Sequence, residues 1–475
     1  MTASKKTPKS HKESSHDSTP TLAGAARRFL SYFNKFTSFF ESKQHHARHY
    51  FKGLMQADKK NMERMEERVP GACEQGLQYF ISDSKWDEEP LLNKIAVEAD
   101  HLLGGKEDSV LYIDETGFPK KGKKSVGVAR QWCGQLGKVD NCQVGVFSTL
   151  GNGTFATPIG YRLYLPKEWT DDKKRCQEAK IPSEHWVEKS KHDLALELIK
   201  DARKKRVRFN WIGADGFYGK NPMFLREIDA LGETFVIDVH KDQHIYLTDP
   251  APIVVPAKSK KGRKPSRLQA QTESIRVDKW VASLPEEEWQ RLQLRKTTKG
   301  YLVVDVLHSH IWVWNGEEKS AQKWRLIVRR EVKSPDKIKY SLSNAAEEIS
   351  ITRLAYMQAQ RYWIERTFQD SKTHCGMGDY QMRGWYGWHH HMAMVSMAMS
   401  FLLQERLEHK ETICLLSCTD IVELLKLLLP RRDVTEEEVL RQLQVRHAKR
   451  QASIDYAYKK QIDNQMLERA DGLTK

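Results

Sequence analysis

Two carboxylates follow short apolar runs that are typical of buried strands. Asp114 ends the run "SVLYID" (109–114), and Asp215 ends "FNWIGAD" (209–215). Carboxylates at the ends of neighbouring strands meet at the rim of a sheet, where they can share a hard divalent cation such as Mg²⁺. Each aspartate alone is more simply a turn or cap residue. Two at matching strand ends, beside lysine-rich loops, favour a metal site that acts on a phosphodiester.

A third carboxylate lies on a predicted long helix, residues 346–374. At about 100° per residue, four polar residues of this helix fall within roughly 60° of one another. They are Gln358, Arg361, Glu365 and Lys372. The simpler interpretation is a solvated face stabilised by Arg361–Glu365 pairing at i,i+4. Ile364 and Phe368 flank the stripe, however, and favour a partly buried site.

The lysine-rich segment after Asp114 also resembles a phosphate-binding loop. Gly117, Gly122 and Lys123 fit the pattern G-x-x-x-x-G-K, but Lys124 stands where a Ser or Thr would bind magnesium. No helical pattern follows Lys124. The match is therefore weak, and we do not expect the chain to be a P-loop ATPase.

Composition favours a nucleic-acid partner. The 475 residues predict two or three domains, and 78 Lys and Arg against 63 Asp and Glu give a net charge of +15. Such a basic excess favours nucleic acid first and an anionic membrane second.

No stretch reaches the roughly 18 apolar residues of a spanning helix. Seven scattered cysteines without a CxxC pair predict free thiols in a reducing cytoplasm.

The elements that must position these residues predict an α/β fold. Three strands are followed by helix, strand, helix and strand, which indicates a mixed sheet, and a β-rich insertion interrupts it. Helical regions flank the sheet on both sides. The predicted regions are a disordered basic tail (1–20), a helical region (21–104), the first part of the core (105–240), the insertion (241–345), the second part with the Glu365 helix (346–410) and a C-terminal helical region (411–475).

Together the motifs resemble those of bacterial insertion-sequence transposases, which have an RNase-H-like core and an Asp-Asp-Glu triad. Asp114, Asp215 and Glu365 match the triad, and "DGFYG" (215–219) resembles the block after the second aspartate. The segments "DETGFPKKGKKSVGVARQWCGQLGK" and "NMERMEERVPGACEQGLQYFISDSKWD" look most like the seven-zero-one insertion-sequence family. The resemblance covers about residues 45–405.

A second signature concerns the Glu365 helix. R-x3-E-x6-K, here Arg361, Glu365 and Lys372, matches the subgroup that has a β-strand insertion before the glutamate. That subgroup usually has a tyrosine three residues before the arginine, where this chain has Gln358. The departure puts a DNA contact at position 358, and cleavage through a hairpin end, in question.

The resemblance implies cut-and-paste DNA transposition in the cytoplasm. It implies that Asp114, Asp215 and Glu365 hold two Mg²⁺ ions, with Mn²⁺ able to substitute, while Arg361 and Lys372 position the DNA backbone. The helical region 21–104 would bind terminal inverted repeats, and a homodimer would bring two ends together before insertion into target DNA. The alternative is a DNA-binding regulator or domesticated transposase that has lost cleavage.

Two features of the insertion indicate further DNA contacts. The basic loop 257–271 carries cations that can reach a phosphate backbone, among them Lys260, Lys261, Arg263 and Lys264. Trp312 and Trp314 alternate with apolar residues and so share one face of a strand. We expect them to pack on the insertion's own small core. The other interpretation is that one stacks on a base extruded near the cleavage site.

Overall fold

The computed structural model describes residues 21–254, 266–298 and 300–472, with side chains described up to residue 463. The predicted tail 1–20 and four predicted DNA contacts, Lys260, Lys261, Arg263 and Lys264, lie outside the described residues. The strands are β1 (Val110–Pro119), β2 (Ala129–Cys133), β3 (Lys138–Asn152), β4 (Phe155–Leu163), β5 (Trp211–Ala214), β6 (Phe235–Val239), β7 (His244–Ile245), β8 (Ile253–Val254), β9 (Leu268–Gln269), β10 (Ile275–Arg276), β11 (Gln290–Thr297), β12 (Gly300–Val313), β13 (Gln322–Glu331) and β14 (Ser334–Ser343).

Helices precede, interrupt and follow the strands. They are α1 (Ala25–Asn34), α2 (Gln44–Gln56), α3 (Met62–Arg68), α4 (Glu74–Ser82), α5 (Glu89–Leu103), α6 (Lys167–Thr170), α7 (Lys173–Glu178), α8 (Lys191–Lys204), α9 (Gly216–Gly219), α10 (Pro222–Ala230), α11 (Val277–Ala282), α12 (Ile351–Gln360), α13 (Tyr362–Cys375), α14 (Trp385–Glu408), α15 (Cys418–Leu428) and α16 (Glu436–Gly472).

One mixed sheet forms the centre of the molecule. Its order is β11-β12-β13-β14-β6-β5-β1-β3-β2, with β4 paired to β3. β1 is parallel to β5 and antiparallel to β3, because β3 and β4 follow as a meander while α8 crosses over to β5. The predicted mixed α/β fold is confirmed. The order β4-β3-β1-β5-β6 is compatible with an RNase-H-like core.

The prediction that a strand ends at Asp114 is wrong. β1 continues to Pro119, because its antiparallel pairing with β3 extends to the pair Pro119–Cys142. Its parallel partner β5 does end beside it, with Ile113 opposite Ala214. Asp114 therefore lies inside a strand on one side and at the end of a strand on the other. The lysines after Pro119 lie farther from the site than the sequence indicated.

The β-rich insertion extends the central sheet. β14 pairs antiparallel with β6, with Tyr340 opposite Val239 and Ser343 opposite Val236. β13, β12 and β11 then add to the same edge. The long strand β12 stays paired with β13 along Val304–Val313.

The predicted long helix is divided at Arg361 into α12 and α13. Arg361 keeps helical dihedral angles (φ −55°, ψ −26°). The amide of Ile364 donates to the Arg361 carbonyl at 3.2 Å, which is an i→i+3 bond and tightens this turn. The chain therefore changes helical pitch at the first residue of the predicted R-x3-E-x6-K signature.

The N-terminal helices share a core with α14. The Phe29 ring stacks on Phe51 at 4.3 Å between centroids and meets Phe401 of α14 edge-on at 5.1 Å. α14 is buried on nearly all sides. Among the described residues, no helix combines the length and apolarity needed to cross a membrane. The helical region 21–104 is thus packed directly on the second part of the core.

Three consecutive histidines of α14 pack inside this shared core. Burial lowers the pKa of His389 to about 3, of His390 to about 4 and of His391 to about 3. His391 shares a hydrogen bond of 2.8 Å with the Tyr50 hydroxyl and one of 3.0 Å with the Gly376 carbonyl. The histidines therefore connect the core to the N-terminal helices as neutral side chains.

This burial predicts acid lability. Unfolded histidine titrates near pH 6.5, so the unfolded chain binds these protons first as pH falls. The contribution of the neutral histidines to the free energy of unfolding should be fully present above about pH 6.5. It should be lost as pH falls toward 4, by up to about 1.4 kcal/mol per pH unit for each histidine. In denaturant melts, His391→Gln should reduce this slope by about one proton. The exposed His101→Gln should leave it unchanged, and equal slopes for the two variants would contradict the prediction.

Candidate active site

Asp114 and Asp215 lie side by side at the end of β5. The parallel register places Ile113 of β1 opposite Ala214 of β5, so the residues that follow them, Asp114 and Asp215, lie beside each other. Asp215 also begins α9, where its Oδ1 accepts the Phe217 amide at 3.1 Å. The two strands position these carboxylates because their preceding residues are buried and pair in register.

The environment of the pair opposes two negative charges. Burial raises the pKa of Asp114 well above its usual range, and the neighbouring charge of Asp215 raises it further, while Arg361 lowers it. Burial also raises the pKa of Asp215, against the lowering effect of Arg361. The Asp114 side chain is only 13% exposed. Without a positive charge nearby, the pair would retain a proton at pH values where an exposed aspartate is ionised.

Arg361 supplies that positive charge. Its guanidinium lies 2.9 Å from the Asp238 carboxylate, 2.9 Å from Glu365 and 3.9 Å from Asp114. Burial lowers the pKa of Arg361, but the surrounding carboxylates raise it by more, so the group stays charged. One side chain at the α12–α13 turn therefore bridges β1, β6 and α13.

The structure brings Glu365 to the site only through Arg361. The Glu365 side chain is 55% exposed and pairs with Arg361, as the i,i+4 spacing predicted. Lys372 lies beyond the two aspartates along β1, where its ammonium donates to the Thr116 hydroxyl at 2.7 Å. Both residues share a face of α13, but Lys372 contacts β1 directly, whereas Glu365 pairs with Arg361.

Two carboxylates at this site were not predicted from the sequence. Asp238 on β6 accepts from Arg361 Nε and, at 2.6 Å, from the Ser341 hydroxyl. Glu115 pairs with Lys191 at 2.6 Å and raises the pKa of Asp215. A single carboxylate inside the apolar run "TFVIDV" was the available signal for Asp238, because an unpaired charge there would be costly.

A cavity of about 340 Å³ opens beside Arg361 and Glu365. Gln358 also lines it, but its side chain is tied to the insertion strands. Its Oε1 accepts from Arg329 Nε at 3.0 Å, and its Nε2 donates to the Ser341 hydroxyl at 2.7 Å. At position 358 the glutamine therefore joins α12 to β13 and β14.

The tryptophans Trp312 and Trp314 lie away from this cavity and are half-buried. The backbone of Trp312 exchanges hydrogen bonds of 2.8 and 2.9 Å with Tyr246. Trp314 donates its indole N–H to the Glu318 carbonyl at 2.7 Å. Neither tryptophan is among the residues that line the cavity beside Glu365.

The donor set suits a hard cation, although the ligands are not yet gathered. In the described parts of the chain, no group of three or more His, Cys, Asp or Glu side chains is arranged to hold a metal ion. Asp114 and Asp215 offer two adjacent carboxyl groups whose pKa values are raised. A divalent cation bound between them would lower these pKa values, because it favours the charged carboxylates. Glu365 would complete the set by exchanging Arg361 for the cation.

Comparisons with known proteins point to one family. The family model described as DDE superfamily endonuclease matches residues 32–301, which include Asp114 and Asp215 and end before Glu365. The chain is also 24% identical, over 314 residues, to the probable transposase for insertion sequence element IS701 of Microchaete diplosiphon. That alignment covers 65% of this chain and 69% of the relative.

The raised pKa of Asp114 predicts that removing its charge stabilises the metal-free protein. A carboxyl with a raised pKa in the folded state loses stability as pH rises through that pKa, so the penalty is present at pH 7. Asp114→Asn should therefore raise the free energy of unfolding at pH 7 by about 1 kcal/mol or more. Thermal or denaturant melts in a chelator measure this.

Asp108→Asn is the matched control. Asp108 forms an ion pair with Arg353 and accepts the Tyr356 hydroxyl at 2.7 Å, so its neutral variant should be less stable. A loss of stability in both variants would show that Asp114 is a structural ion-pair residue.

Proposed function

The chain belongs to the DDE superfamily endonucleases, and from this premise we propose that it is a transposase that cuts and joins DNA at the terminal inverted repeats of an insertion sequence. The observation that supports this most is the pair Asp114 and Asp215 at the end of β5, linked to Glu365 through Arg361. The similarity to a relative named as a probable transposase supports it independently.

In this proposal Asp114, Asp215 and Glu365 hold two Mg²⁺ ions, or Mn²⁺ in their place. When bound, such ions activate a water or a freed 3′-hydroxyl and stabilise the leaving oxygen. Arg361 serves as the countercharge of the carboxylates until Glu365 leaves it, and it then has a free guanidinium edge for a phosphate. Lys372, which donates a hydrogen bond to Thr116 farther along β1, contacts the phosphate backbone of the DNA.

The DNA contacts outside the site remain part of the proposal. The helical region 21–104 binds the terminal repeats, and Lys260, Lys261, Arg263 and Lys264 contact phosphates. Trp312 or Trp314 stacks on an extruded base only if it leaves its present half-buried position. The protein acts as a homodimer, because two transposon ends must be joined to one target DNA. It acts in the cytoplasm.

One observation favours a second function. Glu365 faces Arg361 and is 55% exposed, so the site resembles one that binds DNA without cutting it. A DNA-binding regulator, or a domesticated transposase without cleavage, would have this arrangement permanently. Terminal-repeat binding without any cleavage by the wild-type protein would establish this second function and exclude the first.

Metal dependence is the first expected property. Cleavage of a duplex that carries the terminal repeat should require Mg²⁺ or Mn²⁺. Ca²⁺ should support binding without cutting, because it accepts the same oxygen ligands in looser geometry. A gel-based cleavage assay beside a binding assay measures both, and full cleavage in a chelator would exclude the proposed metal site.

The role of Glu365 gives a second prediction. Glu365→Gln keeps the shape but removes a charge, so cleavage should fall by about 10³-fold or more while end binding stays nearly intact. Combining it with Asp114→Asn or Asp215→Asn should cost little more, because the three act as a unit. Arg361→Ala and Lys372→Ala should retain residual cutting, since they alter positioning. Single-turnover cleavage of folded variants measures this.

Glu331→Gln is the control for Glu365→Gln. Glu331 lines the same cavity and its side chain is 51% exposed, close to the 55% of Glu365. It should cut at the wild-type rate. Normal cutting by Glu365→Gln, or equal loss in both variants, would show that the Arg361–Glu365 pair is a surface ion pair without a catalytic role.

A further inference from the structure

A large basic groove lies at the far end of β1 from Asp114. Its volume is about 1020 Å³, against about 340 Å³ for the cavity beside Glu365. The four lysines of residues 120–124 line it together with Lys180, Arg383 and Lys460. Two carboxylates, Asp83 and Glu178, also line it, and Asp83 pairs with Lys180 at 3.2 Å. The described lining thus carries a clear positive excess.

The lysine-rich wall of the groove is fixed by its backbone. Asn141 Nδ2 donates to the carbonyls of Lys120 and Gly122, at 2.5 and 3.0 Å. Arg175 donates to the Lys123 carbonyl at 2.9 Å. The ammonium groups of Lys121, Lys123 and Lys124 nevertheless remain exposed. The fold therefore holds three neighbouring cations together at the surface, at a cost in mutual repulsion that a polyanion would relieve.

The opposite wall comes from distant parts of the chain. Arg383 belongs to the connection between α13 and α14, and Lys460 belongs to α16. α16 is held against α3 by the ion pair Arg446–Glu67 at 2.6 Å. Lys460 follows Arg446 by about 21 Å along the helix, which brings it over the groove. Cations from the end of β1, from the connection between α13 and α14 and from α16 thus converge on one concave surface.

A continuous line of contacts joins the candidate active site to the groove. Asp114, Thr116 and Phe118 alternate onto one face of β1, and Lys120 follows the strand. The Lys372 ammonium contacts Thr116 and lies 5.8 Å from the centre of the Phe118 ring. Phe118 packs on Tyr380 at 5.7 Å, and the Lys120 ammonium lies 3.5 Å above the same Tyr380 ring.

We infer that the basic groove binds the phosphate backbone of duplex DNA that continues from the cleavage point. Six residues of extended chain separate Asp114 from Lys120, about 20 Å at roughly 3.3 Å per residue. Duplex DNA advances about 3.4 Å per base pair, so the groove meets phosphates about six base pairs from the scissile one. The inference rests on the proposed function, because it takes Asp114 as the point of cleavage.

Duplex DNA fits the groove better than a single strand does. Proteins that bind single strands without sequence preference usually present aromatic rings on which bases stack. Here the Tyr380 ring is buried beneath Lys120, and Tyr456 is the exposed ring in the described lining. The wall offers positive charge, which attracts the phosphate backbone and makes no contact with the bases.

The test compares two triple variants of the full chain on one probe, a labelled duplex of about 40 base pairs, roughly four helical turns, that carries the terminal repeat beside this gene. The groove variant is Lys121→Ala/Lys123→Ala/Lys124→Ala. The control is Lys200→Ala/Lys204→Ala/Lys410→Ala, which removes three exposed lysines that lie outside the groove and outside the proposed repeat-binding region 21–104. The groove variant should lower the slope of log affinity against log salt by about 2 to 3, and the control by less than 1.

Phosphate ethylation interference locates the contact. In the wild type, ethylation about six base pairs from the cleavage point should block binding, and this block should disappear in the groove variant. If the triple variant does not fold, Lys460→Ala on the exposed part of α16 should lower the slope by about 1. Equal slopes for groove and control variants, an unchanged interference pattern or tighter binding of the single strand would overturn the inference.

The outcomes separate the inference from the proposed function. A wild-type protein that cuts the probe, with a groove variant that behaves like the control, removes only the groove. A wild-type protein that neither binds nor cuts the terminal repeat removes the transposase proposal and the groove together.

Discussion

The guanidinium of Arg361 is the charge on which the arrangement of the site depends. Asp114, Asp238 and Glu365 all lie within 4 Å of it, on three different elements. The two buried ones, Asp114 and Asp238, would repel each other strongly in surroundings of low dielectric constant, so they can be gathered only around a cation. In the described structure this cation is a side chain of the protein, placed at the turn where α12 meets α13.

The sheet explains why such a site can be rigid. β5 ends in register beside the middle of β1, and β14 adds the insertion to the edge of β6. Gln358 joins α12 to Arg329 of β13 and Ser341 of β14, so the helix that carries Arg361 is attached to the insertion as well as to the core. The insertion therefore supports the geometry of the site without supplying its carboxylates.

The sequence predicted the parts of the site that local patterns determine. Apolar runs before Asp114 and Asp215 identified two adjacent strands, and the i,i+4 spacing predicted the Arg361–Glu365 pair. Asp238 was missed because its partner Arg361 lies 123 residues away in sequence. The extension of β1 to Pro119 depends on pairing with β3, and the basic groove on Arg383 and Lys460. Such contacts between distant segments carry no local sequence pattern.

The pairing of β6 with β14 has a consequence for synthesis on the ribosome. β6 emerges with one edge unpaired, and its partner Tyr340 follows Val239 by about 100 residues. At roughly 5 to 20 residues per second, translation leaves that edge open for about 5 to 20 s. An open edge can pair with another nascent chain. Neighbouring ribosomes on one messenger are therefore a source of misassembly, and slower translation through the insertion would worsen it.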